Sequence, residues 1–226
     1  MKNKILVLLL PLLFVLSASA QEGPATWIEL GFSKKVIKNL KVEFNPELRL
    51  RGDFQLDTYI LEAGVAYKVH KYLSVGAYYR YEDAYDYKKS TGAYKNHVAL
   101  NRIALDAKSG FELKRFDFSF RLRYTNGADF DQSTDDKTSF FRYRAKVDYN
   151  INGSKLVPFA SVEVFHDLIV NQLDKTRYTA GLAYPFNKHH EVSVYYRLQD
   201  YYEPANYMGD KKPSLDIIGL CYNFDF

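Results

Sequence analysis

The sequence predicts an all-β protein, an antiparallel up-and-down transmembrane β-barrel of about 10–12 strands, with twelve favoured. Three observations lead to this prediction. Apolar and polar residues alternate along most of the chain after Thr26, a pattern typical of β-strands with one apolar face. The connections between these predicted strands alternate along the chain between short and mostly longer ones. Finally, 20 Tyr and 16 Phe accompany 26% charged residues, and the aromatic residues gather near the predicted strand ends.

The N-terminus reads as a secretory signal peptide at residues 1–20. Lys2 and Lys4 precede an apolar run from 5 to 16, and the small residues of Ser17 to Ala20 follow it. The run is too short to span a membrane as a helix. We therefore expect a mature protein that begins at Gln21, with residues 21–226 forming one barrel domain. Removal of the two lysines lowers the formal net charge from +4 to +2, which gives no electrostatic footprint for nucleic acid.

Eleven segments read as strands. In the second of them, Val42, Phe44 and Leu48 share one face, while Glu43 and Arg49 lie on the other. The remaining segments repeat this pattern, with charged residues in mid-strand on nearly every polar face. In chain order they are 27–34, 40–51, 59–69, 73–82, 94–113, 116–124, 141–149, 156–164, 177–184, 192–199 and 214–226. The short connections are predicted at 36–39, 70–71, 114–115, 150–155 and 185–189, and the mostly longer ones at 52–57, 83–93, 125–138, 166–175 and 201–213.

The last segment ends on an aromatic ladder. Tyr222, Phe224 and Phe226 fall on its apolar face, and the chain stops at Phe226. This resembles the terminal strand by which outer-membrane barrels are recognised for assembly, so we expect these three residues to form an assembly signal.

Alternation alone does not decide whether the apolar faces meet lipid or a soluble core. A two-sheet sandwich would bury the same faces, but it explains neither the alternation of connection lengths nor the aromatic strand ends. Short periplasmic turns, longer outer loops and aromatic girdles are typical of outer-membrane barrels. Such barrels have an even number of strands when both termini are periplasmic. Eleven segments conflict with that rule, and twelve is preferred over ten.

The chain also resembles a known family. The similarity is carried by the stretches WIEL at 27–30, ELRLR at 47–51, FSFRLRY at 118–124, NKHH at 187–190 and YYR at 195–197. The whole mature length is similar to the uncharacterised single-domain outer-membrane barrels of Bacteroidota type, classed as a domain of unknown function. The resemblance implies a barrel and a Gram-negative outer membrane. It implies no activity, ligand or catalytic residue.

The charged faces give the main candidate site. Arginines on two consecutive strands could select anions in a porin-like lumen, or they could pair with acids across the lumen and plug it; pairing is favoured. A structural barrel, or a narrow or plugged pore with a charged lumen, is therefore expected. The lumenal candidates are Arg121, Arg123, Arg142, Arg144 and Lys146, with Glu47, Glu62, Glu82, Asp106 and Glu163.

A barrel-borne lipid or peptide hydrolase is the alternative. No His has a Ser two residues on, and His97 lies twelve residues from Ser109 along one strand, far beyond hydrogen-bond reach. His166 and Asp167 are neighbours, which point to opposite faces of a strand. We therefore expect no enzymatic activity and no cofactor. The expected partners are outer-membrane lipid and the barrel-assembly machinery, with no nucleic acid, and the sequence does not identify a small solute. No metal is expected. The acidic loop that contains Asp129, Asp131, Asp135 and Asp136 is a weak candidate for calcium binding.

Overall fold

The protein is a closed β-barrel of eleven strands. A computed structural model describes residues 23–87, 93–129, 138–202 and 213–226. Within these residues no helix is long and apolar enough to cross a membrane. The strands are β1 (Ala25–Ile37), β2 (Leu40–Leu50), β3 (Leu56–His70), β4 (Leu73–Tyr87), β5 (Tyr94–Leu113), β6 (Phe116–Asp129), β7 (Thr138–Tyr149), β8 (Val157–Asp167), β9 (Gln172–Pro185), β10 (His190–Tyr201) and β11 (Leu215–Asp225).

The closing seam of the barrel is parallel. Every strand from β2 to β10 pairs antiparallel with its two neighbours in sequence, whereas β1 pairs parallel with β11, from Ala25 opposite Ile217 to Ser33 opposite Asp225. The all-β barrel prediction is confirmed, and eleven strands lie within the predicted range. The preference for twelve is corrected, because it assumed that both termini lie at the same end. Parallel closure joins an odd number of strands and places the start of β1 and the end of β11 at opposite ends of the barrel.

The two ends of the barrel differ. We call one the short-turn end, where two-residue turns such as 38–39 and 114–115 join consecutive strands, and the other the long-loop end. The start of β1 lies at the long-loop end, and Phe226 lies at the short-turn end. The strands reach further than predicted into the longer loops, since β4 continues to Tyr87 and only residues 168–171 separate β8 from β9. Polar residues stay in the sheet there because backbone pairing needs no apolar face.

The apolar face points outwards. On β3, Leu61 and Val65 are 43% and 44% exposed, while their neighbours Ile60 and Glu62 are 1% and 4% exposed inside the barrel. Successive side chains of a strand point to opposite faces, and the other strands repeat the arrangement. The charged faces therefore line the lumen, which positions the candidate site.

Candidate functional site

A first ion-pair cluster joins four neighbouring strands, β3 to β6, inside the lumen. Arg123 of β6 contacts Glu62 of β3 at 2.8 Å and Asp106 of β5 at 2.5 Å, and Arg80 of β4 contacts the same Glu62 at 2.9 Å. The side chains of Arg123, Glu62 and Asp106 are all at most 5% exposed. Two guanidinium groups here meet two carboxylates, so charge is balanced within the cluster. Such hydrogen-bonded pairing is what buried charges require.

A second cluster surrounds Glu163 of β8 and is not balanced. Arg121 Nη2 lies 2.6 Å from its carboxylate, Arg142 Nη2 lies 3.1 Å from both of its oxygens, and Arg177 Nη1 lies 3.9 Å away. Arg144 is directly opposite Glu163 in the register of β7 and β8, and directly opposite Arg121 in that of β6 and β7. Three guanidinium groups thus lie within 4 Å of one carboxylate, and a fourth arginine lies opposite it in register.

Some donors of this second cluster are unused. Nε of Arg121 and Nε of Arg142 are buried without a hydrogen-bond partner. Within the part of the chain that the structure describes, Arg144 makes no ion pair, although it lines the lumen. Like charges placed directly opposite each other on neighbouring strands repel. The cluster therefore carries an excess of positive charge together with free N–H donors.

Aromatic rings cover the guanidinium groups on the side of the long-loop end. The Trp27 ring of β1 lies 4.0 Å from Arg49, 4.9 Å from Arg177 and 5.0 Å from Arg197. Phe165 contacts Arg142 and Arg177 at 4.6 and 4.7 Å. Rings over guanidinium groups stabilise charge through their negative faces. Trp27, Glu62, Arg123, Phe165 and Arg177 are each at most 8% exposed, so this layer fills the barrel cross-section.

The lumen is divided by that layer. A cavity of about 410 Å³ reaches from it towards the short-turn end, and Arg121, Arg142 and Arg144 are among its lining residues. It continues into a cavity of about 520 Å³ at the rim, because Gly31, Glu43 and Asn223 line both. On the other side of the layer, Arg102, Thr125 and Lys175 are among the residues that line a smaller cavity of about 110 Å³. The lumen is therefore asymmetric, with a polar vestibule on the short-turn side.

Comparison with known proteins identifies the family of this chain. A family model described as "Protein of unknown function (DUF2490)" matches residues 25–208, which covers β1 to β10 and part of the connection that follows. The chain belongs to the DUF2490 family. A comparison with curated proteins finds no match.

The remaining lumenal candidates of this DUF2490 protein make local pairs. Glu47 contacts Arg49 of its own strand at 2.7 Å, Glu82 contacts Arg102 at 3.4 Å, and Lys146 contacts Asp148 at 2.7 Å. Sequence reasoning did not single out Arg49, Arg80, Arg177, Arg197 or Trp27. The alternation that selected the other candidates also places these side chains inwards, and applying it to every strand would have found them.

The terminal aromatic residues lie on the outer face at the short-turn end. The Phe224 and Phe226 rings are 4.4 Å apart, and the His190 ring lies 4.7 Å from Phe224. Tyr222 hydrogen-bonds to His190 at 2.7 Å, and the Phe226 N–H donates to the Ser33 carbonyl of β1 at 2.8 Å. The ladder therefore joins β10, β11 and β1 at the seam.

The acidic loop falls largely outside the described residues. Asp129 ends β6, while Asp131, Asp135 and Asp136 lie in the stretch 130–137 that is not described. Among the residues that the structure does describe, no group of three or more His, Cys, Asp or Glu side chains could hold a metal ion. The calcium candidate thus stays a sequence prediction.

An outward-facing Asp–His pair was missed by sequence reasoning, which compared His97 only with Ser109. His97 Nδ1 lies 2.8 Å from Oδ1 of Asp83, whose side chain is 3% exposed. The Tyr85 ring is 5.6 Å from His97. Register explains the contact, because Asp83 pairs with Ala99, two residues from His97. The other histidine candidate, His166, hydrogen-bonds to Asn171 at 3.1 Å rather than to Asp167.

Proposed function

We propose that this DUF2490 protein is an integral outer-membrane β-barrel of a Gram-negative bacterium, of Bacteroidota type, with a side-chain-filled lumen and no enzymatic activity. The observation that carries the proposal is the inverted distribution of polarity: an apolar outer belt surrounds a charged and ion-paired interior. A water-soluble barrel would have the opposite distribution.

The outer belt runs around the barrel. Its large apolar side chains are between 41% and 59% exposed on seven different strands: Leu61, Val75, Ile103, Leu105, Leu122, Val162, Val194 and Leu220. Exposed apolar surface of this extent is rare on soluble monomers and marks contact with membrane or protein. Because the belt follows the whole circumference, lipid is the partner that fits it.

Aromatic clusters flank the belt at both ends. At the long-loop end the Tyr59 ring lies 5.8 Å from Tyr81, and Tyr85 lies 6.2 Å from Tyr94. At the short-turn end the pairs are Phe111 with Phe118 at 5.1 Å, Phe116 with Tyr149 at 4.9 Å, and Tyr184 with Phe186 at 5.1 Å. Girdles at both interfaces are typical of outer-membrane barrels. The Asp83–His97 pair belongs to the first girdle, and we assign it a structural role there.

The hydrolase alternative makes a distinct prediction about that pair. A base oriented by Asp83 would act through His97, so activity on phospholipid or peptide would depend on the imidazole. We expect the purified barrel to release neither fatty acid nor peptide fragments. Hydrolysis that is lost in His97→Gln would contradict the non-enzymatic part of the proposal.

Flotation tests the membrane assignment. We expect the protein to float with outer-membrane vesicles in a density gradient and to migrate faster on gels before boiling than after it, as compact closed barrels do. N-terminal sequencing of the floated protein should begin at Gln21, the residue after the proposed signal peptide. Release into the soluble fraction by osmotic shock would contradict the assignment.

Deletion of Phe226 tests the proposed assembly signal and its partner, the barrel-assembly machinery. The deletion removes a ring that packs on Phe224 and the N–H that donates to Ser33 across the seam. We expect a lower level of the fast-migrating form in outer membranes. Phe226→Tyr is the control, because it keeps an aromatic ring and the backbone N–H and should assemble normally. A wild-type level for the deletion would contradict the signal.

Conductance tests the filled lumen. The layer of Trp27, Phe165 and the paired arginines separates the larger cavity from one of about 110 Å³ on its long-loop side. We therefore expect low or no conductance when the unmodified protein is reconstituted into planar bilayers. A large and steady anion-selective conductance would contradict the plug and make the arginines a selectivity filter.

A further inference from the structure

The Glu163 cluster has more positive charge than its surroundings compensate. The carboxylate accepts hydrogen bonds from Arg121 and Arg142, and Arg144 and Arg177 flank it on the neighbouring strands. Ten Arg or Lys and six Glu residues line the adjoining cavity. The first cluster, around Arg123, shows that this lumen can balance buried charge within hydrogen-bond distance. The second cluster is left unbalanced.

Unbalanced buried guanidinium groups favour a bound anion. A charge in a water-poor interior is unfavourable unless it is paired and hydrogen-bonded. Nε of Arg121 and Nε of Arg142 have no partner, and the side chains of both residues are only 12% exposed. Arg144 faces Arg121 without an ion pair in the described part of the chain. An oxyanion in the cavity that Arg121, Arg142 and Arg144 line would neutralise this excess charge and accept hydrogen bonds from their guanidinium groups.

The cavity beside the cluster can hold such a ligand. Its volume of about 410 Å³ lies within the range of small-molecule sites. It opens through the 520 Å³ cavity at the short-turn rim, where Asn187 and His189 lie. The Trp27 and Phe165 layer closes its far side. A solute can therefore enter from one end only, which suits binding rather than passage.

We propose that this cavity is a binding site for a small, doubly charged oxyanion of the phosphate class, held by Arg121, Arg142 and Arg144. The guanidinium fork matches a tetrahedral oxyanion in geometry and donates two parallel hydrogen bonds to it. Three such forks around one cavity distinguish a dianion from chloride. Because the cavity is internal to the barrel, the site does not depend on the outer-membrane assignment.

The test is the thermal unfolding midpoint of the folded barrel in detergent, titrated with inorganic phosphate at an ionic strength held constant with sodium chloride. We expect phosphate and sulfate to raise the midpoint in a saturable manner, and chloride to have no such effect. Glycerol 3-phosphate, which carries a free phosphate group, should raise the midpoint as inorganic phosphate does. Short-chain phosphatidic acid should not raise it, because its acyl chains are too large for the cavity. A response to the lipid alone, or to no anion, would overturn the proposal.

Two variants on one strand separate a site from general charge. Arg144→Gln should weaken phosphate affinity at least tenfold, and Arg144→Lys should retain part of it. Lys146→Gln removes the same charge from the same cavity, but Lys146 is already paired with Asp148 at 2.7 Å. The phosphate affinity of Lys146→Gln should stay within about threefold of that of the unmodified protein. A charge that is already paired and partly solvated contributes little to the binding of a further ion. Equal weakening by both Gln variants would mean diffuse attraction and would overturn the site.

Discussion

Replacing Glu163 by Gln should destabilise the barrel by roughly 3–5 kcal/mol, the usual effect of removing one partner from a buried charge pair. The substitution keeps the size of the side chain and one carbonyl acceptor, but it removes the carboxylate that contacts both Arg121 and Arg142. With Arg144 and Arg177, four guanidinium groups then face one another in a largely buried space. The free energy of unfolding, measured by urea titration of the folded barrel in phosphate-free buffer, checks this result.

Two further variants show whether the loss comes from unpaired charge. Asp148→Asn removes a lumen-facing carboxylate that pairs with Lys146, and this pair is partly solvated, since Asp148 is 20% and Lys146 30% exposed. We expect it to lose less than about 1 kcal/mol. Adding Arg144→Gln to Glu163→Gln should recover part of the loss, because one of the uncompensated charges is gone. A loss for Glu163→Gln no larger than that for Asp148→Asn would contradict the charge argument.

The strand faces could be predicted from the sequence because the period of a strand is two. Once Val42 and Phe44 are assigned outwards, Glu43 and Arg49 must point inwards, and the structure has this arrangement. The same rule placed Glu62, Asp106, Arg123 and Glu163 in the lumen before any contact was known. Which faces are charged is local information, and it was sufficient to find the candidate site.

Pairing partners could not be predicted, because they depend on register and on side-chain reach across the lumen. Arg144 lies opposite Glu163 in register, yet the hydrogen bonds of Glu163 come from Arg121 and Arg142. The outward contact of His97 with Asp83 likewise joins residues on two strands. No alternation within one strand contains that information.

The parallel pairing of β1 with β11 also could not be predicted from the sequence. Local pattern gives the number of strands but not the relative direction of the first and the last, and the rule of even strand numbers pointed to twelve. The seam instead depends on how closely β1, β11 and β10 approach one another. Gly219 lies at this seam, where it pairs with Trp27 of β1 on one side and Tyr195 of β10 on the other.

Gly219→Ala should therefore prevent most of the protein from closing into a barrel. A Cβ atom at this position would lie 1.9 Å from Cζ and 2.3 Å from Cε2 of Tyr195. The Tyr195 ring cannot move aside freely, because it is 5% exposed, its hydroxyl donates to Glu29, and the Arg197 guanidinium lies 4.4 Å above it. Overpacking of a tight site costs about 1–3 kcal/mol or more, which lowers the equilibrium for closure by about fivefold to about 150-fold. We therefore expect a lower yield of the fast-migrating form.

The matched variants of this prediction separate steric conflict at the seam from a general effect of substitution in β11. Leu220→Ala changes the next residue, which points outwards and is 46% exposed, so the yield of closed barrel should stay near that of the unmodified protein. Tyr195→Ala removes the ring that occupies the space over Gly219, and combining it with Gly219→Ala should restore closure to the level of Tyr195→Ala alone. If the double variant closes no better than Gly219→Ala, the ring is not the obstacle. The close approach of β11 to its neighbours would then need another cause.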